Sequence, residues 1–456
     1  MDQRRSRPGP RGRLGTLPRA PIERGPVEGV RTIALVHANS LAHFMFLLPA
    51  LEALRRAYPG ARIALLAKTW HARFLEGREC GLDEVVIIPD MPGFGGDVIQ
   101  AADSDIRDFF AQMRERRFDL AFQLHDGGSS NSFTRRLRAR ITIGARMPGA
   151  APLDRRLAYA PLQNERLRLL ELAGLAGARA GSLDPHLPLL PRDAEELSMH
   201  WRSDGRPLVV LHPGADDIRT RWPAEGFARV ADELAAKGAQ VAIHGTQDER
   251  GTTRAVLQAM RSPAADLTGA LTLSGLAALL ARASLVISND TGALHLAQAL
   301  GTPTVGIFGL ASLIASAPLA WEGKGMAVAL DPACPICGQP NLVERCAHEV
   351  SFVAGVSSEK VIGLALELFT PRAQRTSAKA GARAGGSATR VPSGSPAAGR
   401  SPALSRPIHA RKAATGLLPA ATRNCARLRC SKDERERPRS CKMARSGDVP
   451  AHERNR

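Results

Sequence analysis

Short apolar runs suited to strands alternate with helix-like segments in this chain, and the whole pattern occurs twice. In the first pass the strands read at 32–37, 62–67, 84–89, 119–124 and 141–144, with helices at 50–58 and 106–116. A Pro-rich stretch at 184–191 interrupts the pattern, which then restarts. The second pass reads as strands at 207–212, 240–244, 284–288 and 304–308, with helices at 223–237, 249–260, 276–282 and 292–300. Strands alternating with helices imply parallel sheets flanked by helices. The expected fold class is therefore α/β, with two Rossmann-like domains facing a central cleft. Their expected boundaries are 28–190 and 191–370. In doubly wound sheets ligands sit at the carboxyl ends of the strands. The chain has 456 residues, 44% of them apolar, enough for two cores of that size.

The formal charge of +18 invites a nucleic-acid reading, but its placement argues against one. Residues 371–456 hold 20 Lys and Arg against 5 Asp and Glu, and residues 1–27 hold 7 against 2. The body between them is left near −2. No nucleic acid is expected as a partner of the body. The basic ends are Ala-, Gly-, Pro- and Arg-rich without a sustained period, and read as disordered extensions. Seven unevenly spaced cysteines argue against a secreted disulfide framework. No apolar run reaches the ~20 residues that span a bilayer, and the Arg-rich start has no signal-peptide core. A cytoplasmic protein is the expectation.

No GxGxxG or Walker A motif occurs, so dinucleotide and P-loop readings lose their main support. The strongest local signal is "SLVISNDTGALHLAQALGTPTVGIFG", residues 284–309. An apolar strand ends, Asn289, Asp290 and Thr291 supply cap-type side chains, Gly292 follows, and a helix begins. Such a helix start offers free backbone N–H groups and a partial positive charge of ~0.5, suited to a diphosphate. A second strand opens into "HPGADDIRTRWP", where Arg219 and Arg221 are natural phosphate partners. A third ends at "IHGTQDE", whose acids could take ribose hydroxyls or serve as first-turn helix charges. Trp222 and Trp321 read as packing residues.

Taken in order, these segments resemble glycosyltransferase family 9, the ADP-heptose:lipopolysaccharide heptosyltransferases, over about residues 30–370. The Asp290-Thr291-Gly292-x-x-His295 match is the specific one; the others add order and spacing. The resemblance implies a GT-B fold, with the donor held mainly by the second domain and the acceptor by the first. It implies inverting transfer from an ADP-heptose donor to a lipid-linked saccharide acceptor, with no cofactor required for catalysis. Peripheral association with the inner membrane would follow from such an acceptor. Asp290, Thr291, Gly292 and His295 match the donor-binding motif. Thr220 stands where the family has a phosphate-neutralising base, so Arg219 or Arg221 would substitute. Glu249 falls near the ribose-binding acid.

The family also has a Ser-Leu-Gly-Asp turn before a Pro-Ala-Leu helix, and its Asp is implied to be the general base. Here the turn reads Ser40-Leu41-Ala42-His43, followed by Pro49-Ala50-Leu51. Three readings of His43 stand side by side. It is the base, since an ordinary imidazole titrates near ~6.5. Alternatively the site is degenerate and binds donor without turnover, an Ala at the Gly position being strained if φ is positive there. Or the base lies in the loop "HDGGSSNS", where His125 and Asp126 are candidates and Asn131 could contact a sugar.

Cys334, Cys337, Cys346 and His348 place four soft or borderline ligands within 15 residues, a candidate site for structural zinc. Outside the glycosyltransferase class, a GT-B epimerase would act on a nucleotide sugar without an acceptor. A protein working through its basic tail would lose binding steeply with salt.

Overall fold

The computed structural model describes residues 25–94, 101–125, 130–369 and 409–411. Two parallel sheets organise it. The first contains β1 (Thr32–Val36), β2 (Arg62–Ala67), β3 (Glu84–Ile87), β4 (Leu120–Gln123), β5 (Ile141–Arg146) and β6 (Arg155–Ala158). The second contains β7 (Leu208–His212), β8 (Gln240–Ile243), β9 (Ala265–Asp266), β10 (Leu285–Asn289), β11 (Thr304–Gly309) and β12 (Lys324–Ala329). The orders are β3-β2-β1-β4-β5-β6 and β9-β8-β7-β10-β11-β12, the same doubly wound topology twice. A further strand, β13 (His409–Arg411), pairs in parallel with the outer edge of β3. The rest of the basic ends, read above as disordered, lies outside the described residues, apart from 25–27. The central strands are buried on both faces, as the continuous apolar runs of β1 and β7 require in a parallel sheet.

Around the first sheet lie α1 (Leu41–Ala57), α2 (Thr69–Leu75), α3 (Asp103–Glu115), α4 (Asn131–Arg136) and α5 (Glu165–Gly174). The connecting helix α6 (Pro191–His200) leads to the second sheet. There follow α7 (Ala224–Ala236), α8 (Arg250–Ala259), α9 (Leu273–Arg282), α10 (Gly292–Ala299), α11 (Leu310–Ser316) and α12 (Ser358–Leu368). The first helix begins nine residues earlier than expected, because Pro49 lies inside it. An interior proline costs about 3 kcal/mol. Phe44, Met45, Phe46, Leu47 and Leu48 are all buried along that helix, each contributing roughly 1.5–3 kcal/mol, and their sum wins. Several short elements were not expected, among them α5, β6 and α12. The edge strand β6, sequence RRLA, is half exposed and reads as a loop.

The inner faces of the two domains share one apolar core. It joins Phe46 and Leu47 of α1, Leu169 and Leu172 of α5, Leu276 of α9, and Ala293 and Leu296 of α10. Separate clusters fill the outer faces, around Phe109 and Phe133 in the first domain and Phe227 and Val361 in the second. A fully buried ion pair ties the first domain to the connecting helix. Arg78 grips Asp193 with two bonds of 2.7 and 2.8 Å and also donates to the Pro188 carbonyl. On the far side of α6, Glu196 accepts from the Thr272 and Gly275 amides at the start of α9.

Candidate active site

The carboxyl ends of β1, β7, β8 and β10 open on one cleft of about 990 Å³. This is the position that the strand-order reversals at β1/β4 and β7/β10 dictate. The starts of α1 and α10 meet there. A Cβ added to Gly292 would stand 3.0 Å from the Leu41 Cβ. The resemblance places this glycine in the donor-binding motif; the close approach seen is that of the first domain.

Most of the expected donor residues line this cleft. Asp290 sits between β10 and α10, and its carboxylate accepts from Ser316 Oγ (2.7 Å) and faces His295 Nε2 (2.7 Å). On the other edge of that imidazole, Arg166 Nη2 reaches Nδ1 at 3.3 Å. The same Nδ1 lies 3.3 Å from Gln298 Oε1, while Nε2 donates to the Asp290 carboxylate. Arg166 comes from α5 in the first domain. It also donates to the Ser316 and Ala317 carbonyls and lies over the Phe46 ring. Burial pulls its guanidinium down to about 10, still charged at neutral pH. Thus His295 acts here as a buried bridge between domains, and the motif's Asp is pinned by both. Asn289, one residue earlier, accepts from the Trp222 amide and donates to the Pro213 and Gly214 carbonyls. It braces the β7–α7 loop at the second-domain rim.

The basic side chains divide. Arg221 turns away and gives two hydrogen bonds to the Ala215 carbonyl. Arg219 and Thr220 line the cleft, with Arg219 held in a bidentate pair by Asp217 at 2.7 and 2.8 Å. The same carboxylate also takes Arg345 Nη1 at 2.8 Å. Two guanidiniums share one carboxylate at the cleft wall, which Asp216 and Asp331 also line. Arg345 was missed from sequence because it lies 126 residues from Arg219, and no local pattern aims it there. Glu249 is buried at the same wall, where it accepts from the Thr246 amide (2.7 Å) and hydroxyl. Beside it His212 and His244 stack, Nδ1 to Nδ1 3.2 Å. Burial, with a contribution from His212, pulls His244 down to about 3, so it is neutral.

On the first-domain rim, His43 lines the cleft one turn into α1, with Nδ1 2.9 Å from Ser40 Oγ. Burial lowers its pKa from the ordinary 6.5, while Glu165 and Asp290 push the other way. It is neutral at neutral pH, and in the tautomer whose Nδ1–H donates to Ser40 Oγ its Nε2 can accept a proton. Ala42 is helical, and the non-glycine residues with positive φ are Arg117 and Arg138. The expected strain at Ala42 is therefore absent. His125 packs against Phe94, and its carbonyl accepts from Asn39. Asn131 is buried, its amide donating to the Ala145 and Ala151 carbonyls. Neither is among the residues lining the cleft, and Asp126 lies outside the described residues. Of the two tryptophans expected to pack, Trp222 is buried, but Trp321 is 69% exposed.

Cys334, Cys337, Cys346 and His348 do converge. Their ligand atoms lie within 4.8 Å of one another, with Cys334 Sγ 3.6 Å from His348 Nδ1. Tetrahedral zinc, with bonds of about 2.3 Å to sulfur and about 2.0 Å to nitrogen, sets ligand separations of about 3.5–3.8 Å. Desolvation raises the Cys334 thiol, but amides of Cys337 and Ile336 and the neighbouring thiols bring it down to about 7.

Two doubly wound domains meeting at a cleft, with one helix start presented to it, are the GT-B fold. The sequence model described as glycosyltransferase family 9 (heptosyltransferase) matches residues 106–338, and the chain belongs to that family. Lipopolysaccharide heptosyltransferase 2 of Salmonella typhimurium is 27% identical over 295 residues, covering 59% of this chain and 80% of that protein. Two solved structures share the fold at a TM-score of 0.59. A family 9 glycosyl transferase from Veillonella parvula is 21% identical, covering 74% of this chain and 97% of its own. The ADP-heptose lps heptosyltransferase II of E. coli is 19% identical, covering 76% and 99%.

Proposed function

We propose that this protein transfers a heptose from ADP-heptose to a lipopolysaccharide core or a related envelope saccharide, inverting the anomeric configuration. One observation carries the reading: the amide end of α10 at Thr291 and Gly292 opens on the same cleft as a neutral His43. The second domain, 191–370, holds the donor, and the first, 28–190, presents the acceptor. His43 Nε2 takes the proton as the acceptor oxygen attacks the anomeric carbon. The bond from that carbon to the β-phosphate oxygen breaks in the same displacement. The departing ADP is stabilised by the α10 amides and by Arg219 and Arg345. Glu249 takes the ribose hydroxyls. No cofactor enters the reaction, and the Cys₃His cluster holds a structural zinc. The protein works in the cytoplasm, meeting its lipid-linked acceptor at the periphery of the inner membrane. Among the described residues no helix is long and apolar enough to cross a membrane.

A donor-binding protein without turnover is the second reading, favoured by His43 in place of the family's acid. The unstrained Ala42 removes the other reason for it. The test is ADP release from ADP-heptose by the full chain, with and without a heptose-accepting core saccharide. Acceptor-dependent release with an inverted product supports the transferase. Donor binding without release supports the second reading, and release without acceptor contradicts both.

A further inference from the structure

The Cys₃His cluster stands beside the donor cleft, and the segment around it forms part of the wall. Asp331, Pro332, Asn341, Leu342 and Arg345 line the cleft from that segment. Among the described residues, 331–348 contains no helix or strand, only an isolated bridge between Ala333 and Pro340. Within it Cys334 N and the Asn341 side-chain amide donate to the Gln339 carbonyl, Gly338 N to the Cys334 carbonyl, Asn341 N to the Pro332 carbonyl, Ala333 N to Asp331 Oδ1, and Cys346 N to Asn341 Oδ1. These bonds shape the turn at 331–341, while Cys346 and His348 are drawn to Cys334 and Cys337 by whatever joins the four ligands.

Two links run from the cluster to the cations of the cleft. Arg345 is adjacent to the ligand Cys346, and its guanidinium reaches Asp217 at 2.8 Å. Arg219 donates to the Cys346 carbonyl at 3.2 Å, and its own carbonyl accepts from the Phe352 amide just beyond the loop. One ligand residue is therefore linked to both guanidiniums, which Asp217 also pairs. Arg345 is exposed, and among the described residues its guanidinium pairs with Asp217.

We propose that the metal at Cys334, Cys337, Cys346 and His348 is part of the donor site, holding Arg345 and Arg219 where they bind the diphosphate. The metal takes no part in bond making; it sets affinity for the nucleotide diphosphate. Losing it frees three thiols and an imidazole that no longer attract one another. The loop relaxes, Arg345 leaves the wall, and Arg219 loses its tether to Cys346. This rests on the donor-site reading above, and the test separates the two.

The experiment uses the full chain and ADP as probe, with metal content measured on the same samples. ADP affinity is measured by calorimetry in zinc-loaded protein, after chelation, after zinc is restored, and in Arg345→Ala and Cys337→Ala. Cys337 and Arg345 are exposed, so neither substitution opens a cavity. The expected result is one zinc per chain and about tenfold weaker ADP binding on chelation, reversed by zinc. Arg345→Ala weakens ADP less than chelation does while keeping its zinc, and chelating that variant costs only the remaining Arg219 share, so the two losses together fall short of their sum. ADP affinity indifferent to metal, or losses that simply add, overturns the coupling. A chain that binds ADP but takes up no zinc overturns the metal site. Zinc-loaded protein that does not bind ADP overturns the donor-site reading beneath both.

Discussion

The two rims of the cleft are built differently. On the second-domain rim nearly every polar side chain is already held. Asn289 makes three bonds to the β7–α7 loop, Asp290 two, Asp217 pairs with two arginines, and Glu249 folds back on Thr246. On the first-domain rim His43 has one hydrogen-bond partner, Ser40. A rim prewired in this way suits a ligand part that is always the same and charged. Preorganised dipoles need no rearrangement when charge develops on the leaving diphosphate. Glu165 on that rim is taken up by Arg168, and a neutral His43 beside it suits an acceptor that has to be placed and deprotonated.

Acid should separate the rims most widely. His43 sits below its ordinary 6.5 but lines the cleft, and it must be neutral to act. Turnover is therefore present above that point and falls as pH drops through it, which a pH profile of kcat will show. His71 and His244 are held near 3 by burial, against about 6.5 in the unfolded chain. Between those values the unfolded state binds more protons, so their stabilisation is full above 6.5 and lost as pH falls toward 3. Each costs the fold on the order of 4 kcal/mol at the acid end. Thermal melts from pH 7 to 4 should show a steady fall in Tm, shallower in a His244→Gln variant.

Removing a brace should come next. Asn289→Ala strips three hydrogen bonds from a buried site and leaves a backbone amide and two carbonyls unpaired, a loss of roughly 2–3 kcal/mol in denaturant melts. ADP affinity should fall with it. Gly292→Ala tests the contact between rims. The new methyl presses on Leu41 and should destabilise by about 1 kcal/mol, and Leu41→Ala should recover part of that in a double-mutant cycle. Ser40→Ala, on the sparse rim, should change stability by less than about 1 kcal/mol. An effect as large as that of Asn289→Ala would erase the contrast.

The same contrast governs what could be read from sequence. The second-domain rim is a strand, a cap and a helix in continuous sequence, so residues 284–309 announced it. Its remaining partners did not. Arg166 reaches His295 from 129 residues away, and Arg345 reaches Asp217 from 128 residues away. Both positions are set by packing between domains or by a loop folded on four ligands. On the other rim, the start of α1 was hidden by Pro49, whose helix-breaking tendency is local while the burial that overrides it is tertiary. His125 and Asn131 looked like sugar contacts because their loop is polar and Gly-rich. The fold uses the Asn131 amide to hold β5 to residue 151 instead. The alternation of strands and helices was legible because it depends only on local periodicity. The order of the strands, identical in both sheets, follows from long-range pairing that periodicity does not encode.

The central claim is that His43 takes the acceptor proton while the second-domain rim holds ADP. The most direct test pairs single-turnover transfer from ADP-heptose with ADP affinity in the full chain and in His43→Ala. The account predicts a fall in rate of about 10²–10⁴ with ADP affinity unchanged. Equal rates in the two proteins would contradict it and place the base elsewhere.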